Sequence, residues 1–302
     1  MDDLDESIQS RRQAVQLTPE DHLEFAGRLH ELAEGLRMQY QRTREIKDLE
    51  ESIQIQRRAV QLTPKDHPDF IARLNDLGGM LLASSERTRK TEDLEEGIQI
   101  CRQAVRLTPK DHPDHQLRLN NLGVAYHVLY ERTKKIVELK EAIRIFRESV
   151  QLTPRDHPNL EGRLNNVANL FGLLCRRTHK IDDIDEAIED SRQSLKAISE
   201  NHPEYPRWLD GLQQLLQLRH KQTGDTDSLE EAIRLARQAV QLTPKDHPDL
   251  DILQSNLGDA LQLEYKRTAG SRPFHSSETR IDIFVITERR DYLEMWAMVE
   301  KL

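Results

Sequence analysis

This chain repeats itself every 45 residues without slippage. Asp-His stands at Asp21-His22, Asp66-His67, Asp111-His112, Asp156-His157 and Asp246-His247, and Asn201-His202 fills the fifth slot. Thr43, Thr88, Thr133, Thr178, Thr223 and Thr268 keep the same interval, as do Ile8, Ile53, Ile98, Ile143, Ile188 and Ile233. A fixed period of this length marks supersecondary units that each bury an apolar face against the next copy, instead of one globular core. It overrides the two-domain prior that 302 residues would otherwise suggest.

Each unit reads as two helices. In the copy from His112 to Pro154, the first is expected to begin near Pro113, since proline suits a first helical turn. Leu119, Leu122, Gly123, Tyr126 and Tyr130 then share one face. An interior glycine costs about 1 kcal/mol against alanine. Gly123 aligns with Ala33, Gly78, Ala168, Gln213 and Gly258, mostly small, so a close helix contact is expected there. The second helix is expected to begin near Leu139, with Leu139, Ala142, Ile143, Phe146 and Val150 on its apolar face. Asp3, Asp48, Asp93, Asp183 or Ser228 precedes that start, and a glutamate follows three residues later at Glu6, Glu51, Glu96, Glu141, Glu186 and Glu231. That spacing reads as a capping box. Pro154 ends the helix.

These residues resemble the tetratricopeptide repeat. Leu119, Leu122-Gly123 and Tyr126 have the spacing of its first-helix pattern W-x2-L-G-x2-Y, with leucine in the tryptophan slot, and Ala142, Phe146, Ser149 and Pro154 match its second helix. The family's usual period is about 34 residues. The longer period here lengthens the helices, the first to about 20 residues or roughly 30 Å. The resemblance is to the long-helix variety of kinesin light chains, and still more to arrays in fungal signalling proteins that accompany a nucleotide-binding switch or a caspase-like protease domain. It implies an all-α fold, a right-handed α-solenoid of stacked helix-turn-helix repeats. The array is expected over residues 1–268: an unpaired second helix at 3–17, five helix pairs from about 22 to 242, and a final first helix at 247–267. Residues 269–302 form a non-repeat tail and a candidate cap. Starting on a second helix and stopping on a first, the array reads as a segment of something longer, or as one whose uncapped ends self-associate.

Charged residues make up 32% of the chain and the formal charge is −9, with both signs interspersed. No basic stripe points to nucleic acid, and no apolar run is long enough for a membrane span. The acidic start Met1-Asp2-Asp3-Leu4-Asp5 is not a signal peptide. Cys101 and Cys175 are the only cysteines, too few for a disulfide framework, and a reducing, cytoplasmic setting is expected. Their counterparts Gln56, Phe146 and Ser191, and Ser85, Tyr130 and His220, are so varied that they point to space filling. The recurring Asp-His pairs lie one repeat apart, too far to share a metal. They are expected to act locally, Asp as helix cap and His packed over the turn. No phosphate loop or zinc-protease motif is present. No cofactor, no metal and no enzymatic activity are therefore expected.

In the tetratricopeptide family the first helices line the concave side. Stepping from Asn120 gives Val124 and His127, a quarter turn from the Leu122–Tyr126 face. Equivalent positions include Asn75; Asn165 and Asn169; Asp210, Gln214 and Gln217; Asp259; and Arg37. Asparagine can donate to and accept from one peptide unit, so Asn75, Asn120, Val124, His127, Asn165, Asn169, Gln214, Gln217 and Asp259 form the candidate groove for a peptide or partner helix. Met38, Ala83, Val128, Leu173, Leu218 and Leu263 are its expected floor. The function expected is a non-enzymatic protein-protein interaction scaffold. The alternative is a sensor or oligomerisation arm of a larger signalling protein whose effector domain is absent from this chain. The fifth unit departs most: Trp208 stands where others carry Arg28, Arg73, Arg118 and Arg163, and Leu-Thr-Pro becomes Ala197-Ile198-Ser199.

Overall fold

The computed structural model describes residues 2–154 and 156–269. The tail beyond Ala269, with its expected capping role, lies outside the described residues. Among those residues the chain is all helix: α1 (Asp2–Leu17), α2 (Phe25–Thr43), α3 (Ile46–Leu62), α4 (Phe70–Thr88), α5 (Thr91–Leu107), α6 (His115–Thr133), α7 (Ile136–Gln151), α8 (Leu160–Thr178), α9 (Ile181–Ala197), α10 (Tyr205–Thr223), α11 (Thr226–Leu242) and α12 (Leu250–Ala269). Two compact units divide inside α8, after Leu170. In the first, α2 packs most extensively on α3, α4 on α5, and α6 on α7; in the second, α10 packs most extensively on α11. Second helices pack less extensively on the next first helix, α3 on α4 and α5 on α6 in the first unit and α11 on α12 in the second.

The Asp-His motif builds the entry to each first helix, though not by capping it. The His112 N–H donates to the Pro109 carbonyl, 3.0 Å, and the His112 carbonyl accepts from the His115 N–H, 2.9 Å. The ring Nδ1 accepts the Asp114 N–H, 3.1 Å. The same ring-to-backbone bond recurs at His22, His67, His157, His202 and His247. Two successive turns thus consume the Asp-His-Pro segment, so α6 begins at His115 and Pro113 lies before it. The residue that does stand at the cap, Asp114, makes no side-chain cap bond.

The capping-box reading of the second helices also gives way. These helices start three residues earlier than expected, which puts Asp48, Asp93, Glu138, Asp183 and Ser228 in the third helical position. There Asp48 accepts from the Thr43 hydroxyl, 3.3 Å, and Asp93 from Ser84, 2.6 Å. Acidic groups in a first turn still complement the helix dipole. Only at α11 does an N-cap side chain bond the backbone, Asp225 accepting from the Asp227 N–H, 3.3 Å. Three of the glutamates assigned to the box reach across to the preceding copy instead, while Glu141 holds Arg144 of its own helix, 2.8 Å. Arg12 pairs with Glu51, Arg57 with Glu96 at 2.5 Å, and Arg192 with Glu231 at 2.6 Å.

The repeating threonine closes each first helix. The Thr88 hydroxyl donates to the Ser84 carbonyl, 2.8 Å, and accepts the Lys90 N–H, 3.2 Å. The residue after it reverses the chain in the left-handed region: Arg44 (φ 61), Arg89 (φ 63), Lys134 (φ 58), His179 (φ 50) and Gly224 (φ 74). Only the fifth uses the residue that tolerates that conformation without cost.

The expected close contact within a pair is present. A Cβ on Gly123 would lie 2.9 Å from the Phe146 ring, and one on Gly78 would lie 2.8 Å from the Cys101 sulfur. Where α10 carries Gln213, α11 carries Ala236, and both are fully buried. Volume is exchanged between the two helices of a pair at a fixed level, which accounts for the varied counterparts of Cys101.

A second exchange explains Trp208. Arg73 is buried and donates to the Thr63 hydroxyl, 2.6 Å, which itself donates to the Ala59 carbonyl, 2.6 Å. Arg163 bonds Thr153 in the same way. In the fifth unit both members change, to Ile198 and Trp208, and Trp208 is 6% exposed. A hydrogen-bonded pair has been replaced by an apolar one.

Candidate functional site

In the first unit the successive first helices α2, α4 and α6 line an open groove of about 600 Å³. Its lining includes Arg37 and Tyr40 from α2, Asn75, Asp76, Met80 and Ala83 from α4, and Leu117 and Asn121 from α6. It forms because a first helix offers two faces. Leu74, Leu77 and Leu81 go into the core, and residues a quarter turn away are left facing the neighbouring first helices.

Of the expected groove residues, Asn75 lines this space. Its Oδ1 accepts from Asn121 Nδ2, 3.0 Å, and Asn120 Oδ1 accepts from Asn166 Nδ2, 3.3 Å. The asparagine column is thus a ladder between copies, each rung joining positions 46 residues apart. Its donating partners, Asn121 and Asn166, were missed because they sit one residue beyond the column that the 45-residue register aligns. Val124 is partly buried and packs against the core with Tyr126. His127 faces Glu131, Nε2 to Oε1 3.8 Å. Asn165 is partly buried and Asn169 exposed. Of the expected floor, Ala83 lines the groove, Val128 is buried in the core, and Met38 is 47% exposed.

In the second unit the same column forms a closed network. Asp210 is buried, and its carboxylate accepts from Gln213 (2.9 Å), Gln214 (2.8 Å) and Asn256 (2.9 and 3.0 Å). Gln217 donates to Gln213, 2.5 Å, and is buried too. Gln214 and Gln217 are therefore brought together, but each spends a donor inside the protein. Asp259 is exposed.

Electrostatics set one groove residue apart. Burial, and after it the Glu34 carboxylate, holds the Asp76 carboxyl above its ordinary value, while His30, a bond from Asn75 and Arg37 act the other way. Arg37 is forked onto Glu34 at 2.6–3.1 Å, and His30 Nδ1 lies 3.1 Å from Gln56 Oε1. Elsewhere, burial pushes the Cys101 thiol up to about 12 and the Cys175 thiol up to about 11. Neither supplies a thiolate near neutral pH. Among the described residues no cluster of His, Cys, Asp and Glu has metal-binding geometry, and no helix is long and apolar enough to cross a membrane.

The tetratricopeptide repeat family model matches residues 25–69 and 71–114. Among curated proteins no sequence matches this chain. BtubC from P. vanneervenii is a solved structure of similar fold: 14% identical, covering 80% of this chain and 91% of that one, with a TM-score of 0.50. A Podosopora anserina structure described as a kinesin light chain with nearly identical TPR-like repeats is 17% identical, covers 72% of this chain and 98% of that one, and has a TM-score of 0.48. YrrB, described as a TPR protein with an unusual peptide-binding site, is 14% identical, covers 85% and 98%, and has a TM-score of 0.49.

Proposed function

We propose that this chain, a tetratricopeptide-repeat protein and a helical-repeat solenoid, is a non-enzymatic scaffold that holds an extended peptide or a partner helix against its first helices. Repeats of this kind serve in general as protein-interaction surfaces. The observation that carries the reading is the groove across α2, α4 and α6. It combines apolar surface from Ala83 and Leu117 with the Asn75–Asn121 amide rung. That rung leaves amide hydrogens and oxygen lone pairs to meet a peptide backbone. The groove is open and draws its lining from three successive first helices, which suits a chain segment better than a small metabolite.

The test is selection of a random dodecapeptide display library on the purified chain, followed by affinity measurement on the selected peptides. Paired substitution Asn75→Ala with Leu117→Ala should weaken binding by about tenfold or more, since it removes a polar anchor and an apolar one together. Circular dichroism should show the helices intact. Selected peptides that bind the paired variant as tightly as the parent would reject the groove.

A further inference from the structure

Asp76 is a partly buried carboxylate in the wall of the groove, yet it forms no ion pair among the described residues. The basic side chains that act on it are otherwise engaged: Arg37 is forked onto Glu34, and His30 meets Gln56. Its resolved partner is the neutral Asn75 amide, which also accepts from Asn121. A carboxylate taken partly out of water without a cation costs stability that a neutral residue would not. The second unit shows how the fold otherwise handles such a charge, since Asp210 at a neighbouring column is surrounded by amide donors from three side chains.

Resting on the groove reading above, we propose that Asp76 is the specificity determinant of that groove and pairs with a lysine or arginine side chain of the bound peptide. The surroundings fit such a side chain along its length. Ala83 and Leu117 offer apolar surface for the aliphatic stem, and the carboxylate receives the charged head. The incoming cation replaces water around a group already partly desolvated, so the pair gains more than an exposed one does. Glu34 lies close enough to act on Asp76 and adds negative potential at the same place.

The experiment uses the full chain and the dodecapeptide display library. Peptides whose binding falls with Asn75→Ala and Leu117→Ala are kept as groove-dependent and sequenced. Lysine or arginine should be enriched at one position among them. For a peptide so selected, Asp76→Asn should weaken binding about tenfold, replacing its basic residue by alanine should cost the same, and the two changes together should cost little more than either. Asp76→Asn keeps the shape and the Asn75 contact, so a folding defect is not expected. Groove-dependent peptides indifferent to Asp76→Asn, or with no basic residue in common, overturn the proposal and leave the groove standing. Peptides that ignore Asn75→Ala and Leu117→Ala overturn the groove and this proposal with it.

Discussion

The pair α6–α7 and the pair α10–α11 occupy the same frame of the repeat with different chemistry at four levels. The first pair places Gly123 against Phe146, and the second places Gln213 level with Ala236. Arg118 is buried in one, bonding the Asp114 carbonyl at 3.1 Å, and Trp208 is buried in the other. Asn120 accepts from one amide, while Asp210 accepts from three side chains. Lys134 makes the left-handed reversal in one and Gly224 in the other. The repeat therefore conserves where contacts are made and lets the atoms making them trade places. The departures of the fifth unit are compensated changes, since Trp208 arrives together with Ile198 and Gln213 stands level with Ala236.

The largest expected effect tests whether Trp208 carries its unit through apolar burial. Trp208→Ala should cost about 3–5 kcal/mol, the range for deleting a buried aromatic. Arg118→Ala should cost about 1–2 kcal/mol, because Arg118 contributes hydrogen bonds to a half-exposed Asp114. Urea unfolding of both variants gives the comparison. Equal losses would mean that the two positions do the same work despite their chemistry. The paired change Ile198→Thr with Trp208→Arg should then cost less than the sum of its single changes, since it restores the Thr63–Arg73 arrangement.

The next effect concerns volume. Gly123→Ala forces a Cβ to within 2.9 Å of the Phe146 ring and should destabilise by about 1–3 kcal/mol through overpacking. Phe146→Leu in the same chain should recover part of that loss. If Gly123→Ala proves neutral or stabilising in urea, as helix propensity alone would have it, the idea of exchanged volume at this level fails.

The sequence shows the periodic part of this architecture and conceals what depends on a phase or a small offset. The 45-residue period, the two helices per unit and the tight Gly123 level follow from recurrence and side-chain size. The helix starts did not, because Asp-His-Pro reads equally as cap and first turn, or as two turns closed by a histidine ring accepting a backbone N–H. The glutamates of the supposed capping box were misread for a related reason. A three-residue spacing within one helix looks the same whether Glu51 turns back to its own backbone or reaches Arg12. In the groove, alignment in register exposed the Asn75 and Asn120 column but hid its partners one residue out of register. Asp76 shares its column with Glu31, Asn121, Asn166, Gly211 and Asn256, so only the surrounding burial sets it apart.

The smallest effect is the one most local to the comparison. Five reversals share a left-handed residue, and four of them carry a side chain there. For a residue with a Cβ this conformation is unfavourable by about 1–2 kcal/mol, whereas glycine gives back about 0.5–1 kcal/mol through the freedom of its unfolded chain. Arg89→Gly should therefore stabilise by about 0.5–1 kcal/mol. The contacts at this reversal are made by backbone and are kept: the Arg89 N–H donates to Ser85, and its carbonyl accepts from Arg132 at 3.0 Å. Gly224→Ala should lose a similar amount, although open space surrounds the position and a methyl group meets no atom within 4 Å. Because sterics between side chains are absent there, any loss reports backbone conformation alone. Shifts of the urea midpoint in opposite directions for the two variants would show that the fifth unit's glycine relieves a strain the other copies bear. Shifts of the same sign would mean that the arginine side chain contributes something at the reversal that its backbone contacts do not reveal.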